Sequence, residues 1–278
     1  GPSRSSSWPS IALRKPLPPW PEPSRGCGGA LALYRRSAAA DARPWHLRWV
    51  PVCSSTEPLL ERWLRDAPQL DHPRAVIAGR QIRATGQWGR PWMSPRGGLW
   101  ISAALPWQGR PPASAMLIGL AVATGLAERL ERRGLEVAIK WPNDLLVNGR
   151  KLAGLLPRLV QRGSTLRLVR IGVGLNVENR IPSHAVALRQ VLGPAGGSPC
   201  LWCAELLQVL DRCMEDSVDL RWCVPEAERR LWSDRVRDPD DGLIWSISGL
   251  APNGALRLRR GAQTRDWTRW SSGPGSLS

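Results

Sequence analysis

At 278 residues, with 42% hydrophobic and 22% charged residues, the chain has the composition of a globular protein and the length to bury a large core. No apolar run is long enough to span a bilayer and no secretory signal opens the sequence, which favours a soluble, cytoplasmic protein without a membrane partner. Six scattered cysteines are too few for a disulfide scaffold and fit a reducing compartment.

The charge of the chain is strongly positive. A net charge of +16 raises the hypothesis of a nucleic-acid-binding protein. Only Lys15, Lys140 and Lys151 among the 39 basic residues are lysines, and phenylalanine is absent, which indicates a G/C-rich genome rather than selection for positive charge. A lysine retained against such a bias is expected to do something that arginine cannot.

Predicted tails, helices and strands alternate along the chain. Residues 1–40, rich in Pro, Ser and Arg and without a period, are predicted to be a disordered tail, like residues 271–278 at the other end. Helices are predicted after the capping residues Ser55 and Thr56 and over residues 203–220. Apolar runs that predict strands lie at residues 46–52, 75–78, 99–105, 136–141, 145–147 and 166–177.

The strongest helix prediction covers residues 114–133, which are apolar on nearly all sides in their first half and stop at Gly134. A helix that is apolar all round is a buried one, so we expect it to form the centre of the core. From about Asp241 the pattern changes to short strands joined by turns, which predicts a small β domain over residues 239–270. With residues 41–238 as the main domain, the fold class is α/β or α+β.

Two segments place glycines where a ligand could approach the backbone. Residues 80–95 combine small and glycine residues with the cation Arg90 and the apolar side chain of Trp92. A surface loop is the alternative, and composition alone favours it. Gly172 and Gly174 lie within an apolar strand, where glycine marks close approach of a ligand or of another backbone. A plain packed strand is the alternative there.

A hairpin is indicated by the Asn-Gly pair at residues 148–149, between two apolar runs. With that pair as the turn, alternation places Asp144 and Lys151 on one face as diagonal neighbours, with Asp144 opposite Ala153. With Asn143 beside them, these residues offer hard oxygens for Mg²⁺ and a point charge for a phosphate. An exposed surface ion pair is the alternative interpretation.

Four segments carry a resemblance to a known family. They are Ser55-Thr56, Gly89-Arg-Pro-Trp-Met-Ser-Pro95, Lys140-Trp-Pro-Asn-Asp-Leu with Lys151-Leu-Ala-Gly-Leu-Leu156, and Gly172-Val-Gly-Leu-Asn176. In this order they resemble the biotin protein ligases, and the Lys-Trp-Pro-Asn-Asp hairpin is the most specific of them. The resemblance implies a mixed-sheet catalytic domain of the biotin/lipoate ligase type and a small SH3-like C-terminal β domain.

The activity implied by the resemblance has two steps. Biotin and ATP form biotinyl-5′-AMP and pyrophosphate, and a lysine of the biotin carboxyl carrier protein of acetyl-CoA carboxylase then receives the biotin. An acidic carrier domain with an exposed lysine would suit a strongly positive enzyme.

The same resemblance implies the site residues. Lys151 is implied to be the catalytic residue that neutralises charge on the α-phosphate and on the acyl adenylate. Asp144 and Asn176 would face the Mg²⁺–ATP side, with Asp144 reaching Mg²⁺ through ATP, and Lys140 and Asn143 would complete the nucleotide site. The implied biotin and adenylate contacts are Ser55, Thr56 and Gln81 at the ureido ring, Thr85, Gly86 and Gln87 in a closing loop, and Arg90, Trp92 and Gly154.

The closing loop departs from the family. The pattern Gly-Arg-Gly-Arg-x-Gly-Arg reads here Ala84-Thr-Gly-Gln-Trp-Gly-Arg90, so two phosphate-facing cations are missing unless Arg80 or Arg83 replaces one. Each lost charge-assisted contact costs about 1.5–3 kcal/mol, so we expect weaker retention of biotinyl-AMP than in a typical ligase. Glu57 also replaces the asparagine expected after Ser-Thr.

Other functions stay open at this point. They are a lipoate-type ligase on the same scaffold, an inactive relative with a degenerate loop, and a basic nucleic-acid-binding protein whose binding would fall steeply with salt. The residues before the catalytic part are too few and too irregular for a winged helix-turn-helix domain, so no sequence-specific DNA binding is expected.

Overall fold

The structure, a computed structural model, describes residues 25–108, 111–215 and 219–268. The predictions for residues 1–24 and for the tail at residues 271–278 lie outside the described residues. Within the described ranges, no helix combines the length and the apolar character that a bilayer crossing requires.

The described ranges form six α-helices and two β-sheets. The helices are α1 Arg25–Ala38, α2 Thr56–Asp66, α3 Ala115–Glu131, α4 Leu188–Leu192, α5 Pro199–Cys213 and α6 Cys223–Glu228. The strands of the large sheet are β1 His46–Val50, β2 Arg74–Ala78, β3 Leu99–Pro106, β4 Ala138–Lys140, β5 Asp144–Val147, β6 Arg150–Arg162 and β7 Thr165–Leu175. Those of the small sheet are β8 Arg235–Arg237, β9 Ile244–Leu250, β10 Leu256–Arg260 and β11 Gln263–Trp267.

The large sheet is mixed and has the order β1-β2-β3-β7-β6-β5-β4. Strands β1 and β2 pair in parallel, and the other neighbours pair antiparallel. The small sheet, β11-β10-β9-β8, is antiparallel throughout. The predicted class, a mixed-sheet domain followed by a small C-terminal β domain, is therefore confirmed. Because β8 belongs to the small sheet, that sheet begins before the predicted boundary at residue 239.

The core lies on one face of the large sheet. Helix α3 begins after Ser114, whose side chain accepts a hydrogen bond from the N–H of Leu117, and it is buried along most of its length. Its apolar side chains pack with those of α5 and with the alternate residues of β2, β3 and β7 that include Ile77, Ile101 and Ile171. The predicted buried helix at the centre of the core is confirmed.

Helix α2 covers the opposite face at one end of the sheet. Ser55 caps it by accepting a hydrogen bond from the N–H of Glu57, as the sequence predicts. Its buried residues Leu60 and Trp63 pack on Val76, Ala104 and Leu168, the alternate set of strand residues. Beyond the end of α2, the same face of β7 carries Gly172 and Gly174, and this glycine stretch leaves room for a cavity.

The prediction of a disordered tail through residue 40 is wrong from residue 25 onward. Residues 25–38 form α1, which packs against α5. Tyr34 is fully buried and its hydroxyl donates a 2.5 Å hydrogen bond to Asp211. Trp45 Nε1 donates to the other oxygen of Asp211 at 2.8 Å. Because these contacts join residues far apart in sequence, no local period reveals them.

The prediction of a helix over residues 203–220 has the right type and the wrong ends. Helix α5 begins at Pro199, after the cap Ser198, and ends at Cys213. Proline suits the first helical turn because its missing N–H has no partner to lose there. Residues 216–218 are outside the described ranges, and residues 220–222 form a short 3₁₀ helix.

Candidate active site

A cavity of about 390 Å³ opens beside the N-terminus of α2 on the glycine-bearing face of the large sheet. All the predicted site residues except Asn176 line it. They are Ser55, Thr56, Gln81, Thr85, Gly86, Gln87, Arg90, Trp92, Lys140, Asn143, Asp144, Lys151 and Gly154. The loop from residue 80 to residue 95 is therefore a wall of the cavity and not only a surface crossing.

The hairpin of β5 and β6 brings Lys151 and Asp144 together. Asn148 and Gly149 both have positive φ, as the predicted two-residue turn requires, and Val147 pairs with Arg150. Lys151 Nζ lies 2.8 Å from Asp144 Oδ2. Their side chains are 29% and 20% exposed, so the pair is more enclosed than an ordinary surface ion pair.

One detail of the predicted register is wrong. Asp144 pairs with Gly154 instead of Ala153, because Leu152 is an extra residue that forms a β-bulge in β6. The bulge keeps Lys151 and Gly154 on the same face of the sheet. A hairpin prediction from turn residues alone assumes uninterrupted pairing, and so it misses this shift.

The floor of the cavity is a pair of glycines on neighbouring strands. Gly154 of β6 pairs in register with Gly174 of β7, and the indole of Trp92 lies over both. Lys151 Nζ is 4.6 Å from the centroid of the Trp92 ring, a cation–π contact. Trp92 Nε1 is buried and makes no hydrogen bond to the described residues. The group that approaches Gly174 is thus a side chain, and not the ligand or second backbone that the sequence predicts.

This end of the cavity is rich in cations. Lys140 pairs in register with Asp144, and Lys140 and Arg90 form no ion pair with another described residue. Three positive charges around one carboxylate suit a polyphosphate. Neither Arg80 nor Arg83 lines the cavity, so neither replaces the missing loop cations in this structure.

Uncharged polar groups line the opposite end, at the start of α2. The side chains of Thr56 and Ser102 are hydrogen-bonded at 2.7 Å. Gln81 Oε1 accepts the N–H of Thr56 at 2.8 Å, and Gln81 Nε2 donates to Ser94 Oγ at 3.0 Å. The amide of Gln81 therefore holds α2 to the loop.

Glu57, also on the cavity wall, is bound to a buried arginine. Glu57 Oε2 lies 2.7 Å from Arg170 Nη2, and the side chain of Arg170 is 11% exposed. Glu61, one helical turn along α2, lies 3.7 Å from the other terminal nitrogen of Arg170. This ion pair anchors α2 to β7.

The closing loop is itself a tight hairpin. The N–H of Gly86 donates to the carbonyl of Arg90 at 2.8 Å, and the N–H of Trp92 donates to that of Ala84 at 2.8 Å. At its tip Trp88 has φ 63°, a left-handed conformation that costs a non-glycine residue energy, and the residue is 48% exposed. Thr85 and Gln87, where the family has cations, both line the cavity.

Asn176, predicted to face the nucleotide, is not among the residues that line the cavity. It is buried, its Oδ1 accepts from Asn179 at 3.0 Å, and its Nδ2 donates to the carbonyl of Lys151 at 3.4 Å. Asn176 therefore supports the backbone of Lys151. Asn143 does line the cavity, but its Nδ2 donates to the carbonyl of Leu155 at 2.6 Å.

Several cavity residues were missed in the sequence. His184 lines the cavity, and its carbonyl accepts the N–H of Lys151 at 3.2 Å. Ser102 lines it because it pairs with Gly172 on the neighbouring strand β7. The alternation along each strand could have indicated which face they share, but the strand order that brings them to the cavity has no local signal.

Cys53 lies next to Gln81 but does not line the cavity. The two residues form an isolated β-bridge, and Cys53 is not among the residues that line the cavity. Burial raises the pKa of its thiol to about 11, so the thiol is protonated at neutral pH and is a poor nucleophile.

The donors at the cationic end suit a divalent cation that arrives with a nucleotide. No group of three or more His, Cys, Asp or Glu side chains in the described ranges could hold a metal by itself. Asp144 offers a carboxylate oxygen that Lys151 does not occupy. Mg²⁺ bound through phosphates and waters commonly takes only one or two protein carboxylates, so this donor set fits it.

The chain is similar in sequence to known proteins. The sequence model described as "Biotin/lipoate A/B protein ligase family" matches residues 49–176. The chain is 31% identical over 247 residues to Biotin–protein ligase 2 of Arabidopsis thaliana, covering 81% of this chain and 73% of that protein. It is 35% identical over 132 residues to Biotin–[acetyl-CoA-carboxylase] ligase of Paracoccus denitrificans, covering 44% of this chain and 52% of that protein.

A solved structure has the same fold. The biotin protein ligase of Aquifex aeolicus, in complex with biotin and ATP, superposes with a TM-score of 0.61 at 22% identity. The match covers 81% of this chain and 96% of that one.

Proposed function

The chain belongs to the biotin/lipoate A/B protein ligase family, and from this premise we propose that it is an ATP-dependent biotin protein ligase. Its product would be a biotinylated lysine on a carrier protein. The observation that carries the proposal is the Lys151–Asp144 pair, 2.8 Å apart on the wall of a cavity with hydrogen-bonding groups at its far end.

The two ends of the cavity suit different chemical groups of the substrates. The cations Lys151, Lys140 and Arg90 suit the phosphates of ATP and the carboxylate of biotin, whereas the neutral groups beside α2 suit the ureido ring. Gly172 and Gly174 lie on one face of β7, two residues or about 6.6 Å apart, and both line the cavity between its two ends.

In the first step, an oxygen of the biotin carboxylate attacks the α-phosphorus of ATP. The bond from that phosphorus to the bridging oxygen breaks, and pyrophosphate leaves with biotinyl-AMP formed. Lys151 stabilises the negative charge that develops on the α-phosphate, because its ammonium is held in place by Asp144 and the ring of Trp92.

In the second step, the amine of a carrier lysine attacks the acyl carbon of biotinyl-AMP. The bond to the AMP oxygen breaks, AMP leaves, and the nitrogen loses a proton as the amide forms. The acceptor we propose is the biotin carboxyl carrier protein of acetyl-CoA carboxylase, supported by the Paracoccus relative and by the positive charge of this chain.

Mg²⁺ is part of this proposal. Asp144 would hold it together with the phosphates of ATP, where the ion neutralises phosphate charge. A cytoplasmic location is proposed as well, because Cys53, Cys200, Cys203, Cys213 and Cys223 are free thiols.

The test is ATP–pyrophosphate exchange with biotin or lipoate as the acid, followed by transfer of labelled biotin to a biotin carboxyl carrier domain. Biotin-dependent exchange and transfer would support the proposal. Exchange with lipoate but not biotin would reassign the substrate. Absence of exchange with either acid would indicate a degenerate scaffold, and salt-sensitive binding of nucleic acid in its place would indicate a different function.

A further inference from the structure

Most of the polar groups beside α2 are hydrogen-bonded to each other. Thr56 and Ser102 share a hydrogen bond, both ends of the Gln81 amide are used, and Ser55 accepts the N–H of Glu57. Glu57 differs from them, since its Oε1 is buried and accepts no hydrogen bond from the described residues. A buried acceptor without a donor is costly, and a ligand that supplies a donor removes that cost.

The second oxygen of Glu57 fixes where the first one lies. Oε2 is held by Arg170, which is buried and which also faces Glu61. Oε1 then lies over Gly172, only 3.3 Å from the position that a Cβ would take on that glycine. The neighbours of that position are Leu156 and Ser102, which also line the cavity. A ligand that enters the cavity beside Ser102 and Leu156 would therefore bring its donors near Oε1.

We propose that Glu57 is a specificity-determining residue whose Oε1 accepts a hydrogen bond from a ureido N–H of biotin. The inference rests on the proposed function. The carboxylate of biotin belongs at the cationic end, by Lys151, so the ring at the other end of the molecule reaches the Gly172 end of the cavity. That ring carries two N–H donors, and Glu57 supplies an unused anionic acceptor.

A carboxylate is needed at this position because two donors, Arg170 and the ligand N–H, each require an acceptor oxygen. One oxygen of Glu57 accepts from Arg170, and the other is left for the ligand. Glutamine has the same shape and a single acceptor, so in Glu57→Gln either Arg170 or the ligand N–H loses its partner. Arg170 itself is a positioning residue, since it acts through Glu57.

The experiment is calorimetric titration of the full chain with biotin and with 2-iminobiotin, whose ring carries a guanidinium in place of the urea. Wild type is compared with Glu57→Gln. Glu61→Gln is the matched control because Glu61 faces the same arginine from the same helix, is 55% exposed in its side chain, and does not line the cavity. Thermal melting and ATP binding report whether each variant is folded.

We expect Glu57→Gln to weaken biotin binding at least about tenfold, the effect of losing a hydrogen bond to a charged group. Binding of 2-iminobiotin should weaken by a larger factor than that of biotin, because the variant also loses an ion pair. Glu61→Gln should bind each ligand with the affinity of wild type.

The inference would be overturned if Glu57→Gln bound each ligand with the same affinity as wild type. It would also be overturned if Glu57→Gln and Glu61→Gln both lost the same amount of affinity for both ligands. If Glu57→Gln does not fold, the binding of the two ligands by wild type tests the inference. Binding of biotin with exclusion of the guanidinium form of 2-iminobiotin contradicts an anionic acceptor at the ring, and measurable binding of both supports it. Wild type that binds no biotin at all would refute the proposed function and this inference together.

Discussion

Gly174 lies directly beneath the indole of Trp92, so closely that a Cβ at position 174 would be 2.7 Å from Nε1 and 2.9 Å from Cε2. Real Cβ atoms do not approach so closely, and the ring in Gly174→Ala must therefore move away from the floor. We expect kcat/KM for biotin-dependent ATP–pyrophosphate exchange to fall by about 5- to 150-fold, if the overpacking cost of about 1–3 kcal/mol is expressed in the transition state.

The matched comparison for this prediction is a double-mutant cycle with Trp92→Leu. In the Trp92→Leu background there is no indole to displace, so adding Gly174→Ala should cause little further loss. Additive losses in the cycle would mean that the glycine acts independently of Trp92.

Lys151→Ala removes the ammonium that lies between Asp144 and the ring of Trp92. Loss of one preorganised charge-stabilising group costs about 10²–10³-fold in rate, and we expect biotin-dependent exchange to fall by that factor. The measurement is pyrophosphate exchange at saturating biotin and ATP.

Arg150→Ala is the control for the Lys151 variant. Arg150 is the neighbouring cation on β6 but does not line the cavity, so its removal should leave exchange within about twofold of wild type. Exchange that survives in Lys151→Ala would remove that residue from its assigned role.

Gln87→Arg restores a cation in the closing loop, at a position that lines the cavity. A new charge-assisted contact to phosphate contributes about 1.5–3 kcal/mol, so release of biotinyl-AMP should slow at least about tenfold. The measurement is the dissociation rate of labelled biotinyl-AMP from wild type and from the variant.

Arg83→Ala serves as the control for the loop variant. Because Arg83 does not line the cavity, adenylate release should be unchanged when its side chain is removed. Wild-type retention as slow as that of a ligase with the complete arginine loop would contradict the expectation of a weakened loop.

Stability should fall at alkaline pH because of two core thiols. Burial raises the pKa values of Cys213 and Cys223 to about 12, whereas a thiol in the unfolded chain ionises near 9.0. Between these values the folded state holds protons that the unfolded state loses, so the free energy of unfolding decreases as pH rises. The contribution is complete below pH 9 and is lost on approaching pH 12.

Urea unfolding between pH 8 and pH 10.5 measures this effect, at up to about 1.4 kcal/mol per pH unit for each thiol. Cys213→Ala should lower stability at every pH because it leaves a cavity, and it should also flatten the alkaline slope by one thiol. An unchanged slope in Cys213→Ala would show that the unfolding does not release that proton.

The parts of the site that the sequence predicted are those built from neighbouring residues. The cap at Ser55, the turn after Val147 and the meeting of Lys151 with Asp144 all follow from residues within about a dozen positions of each other. The family resemblance then placed Gln81 and Trp92 at the same cavity, which residue patterns alone would not have done.

The parts that were missed depend on strand order and packing. The pairing of Asp144 with Gly154 depends on a bulge that the turn residues do not indicate, and the burial of Asn176 against Asn179 depends on packing. The N-terminal helix was missed because the buried partner of its Tyr34, Asp211, is 177 residues away in the sequence.

By itself the sequence determined the local structure of this protein: where helices begin, where the chain reverses, and which strand faces are apolar. These features depend on backbone preferences and on periods of two to four residues, which a linear pattern records. Only the tertiary structure decided that Glu57 meets Arg170 across 113 residues and that Gly172 faces Glu57 Oε1. Such contacts arise when distant segments share one core, and their energies depend on which segments become neighbours.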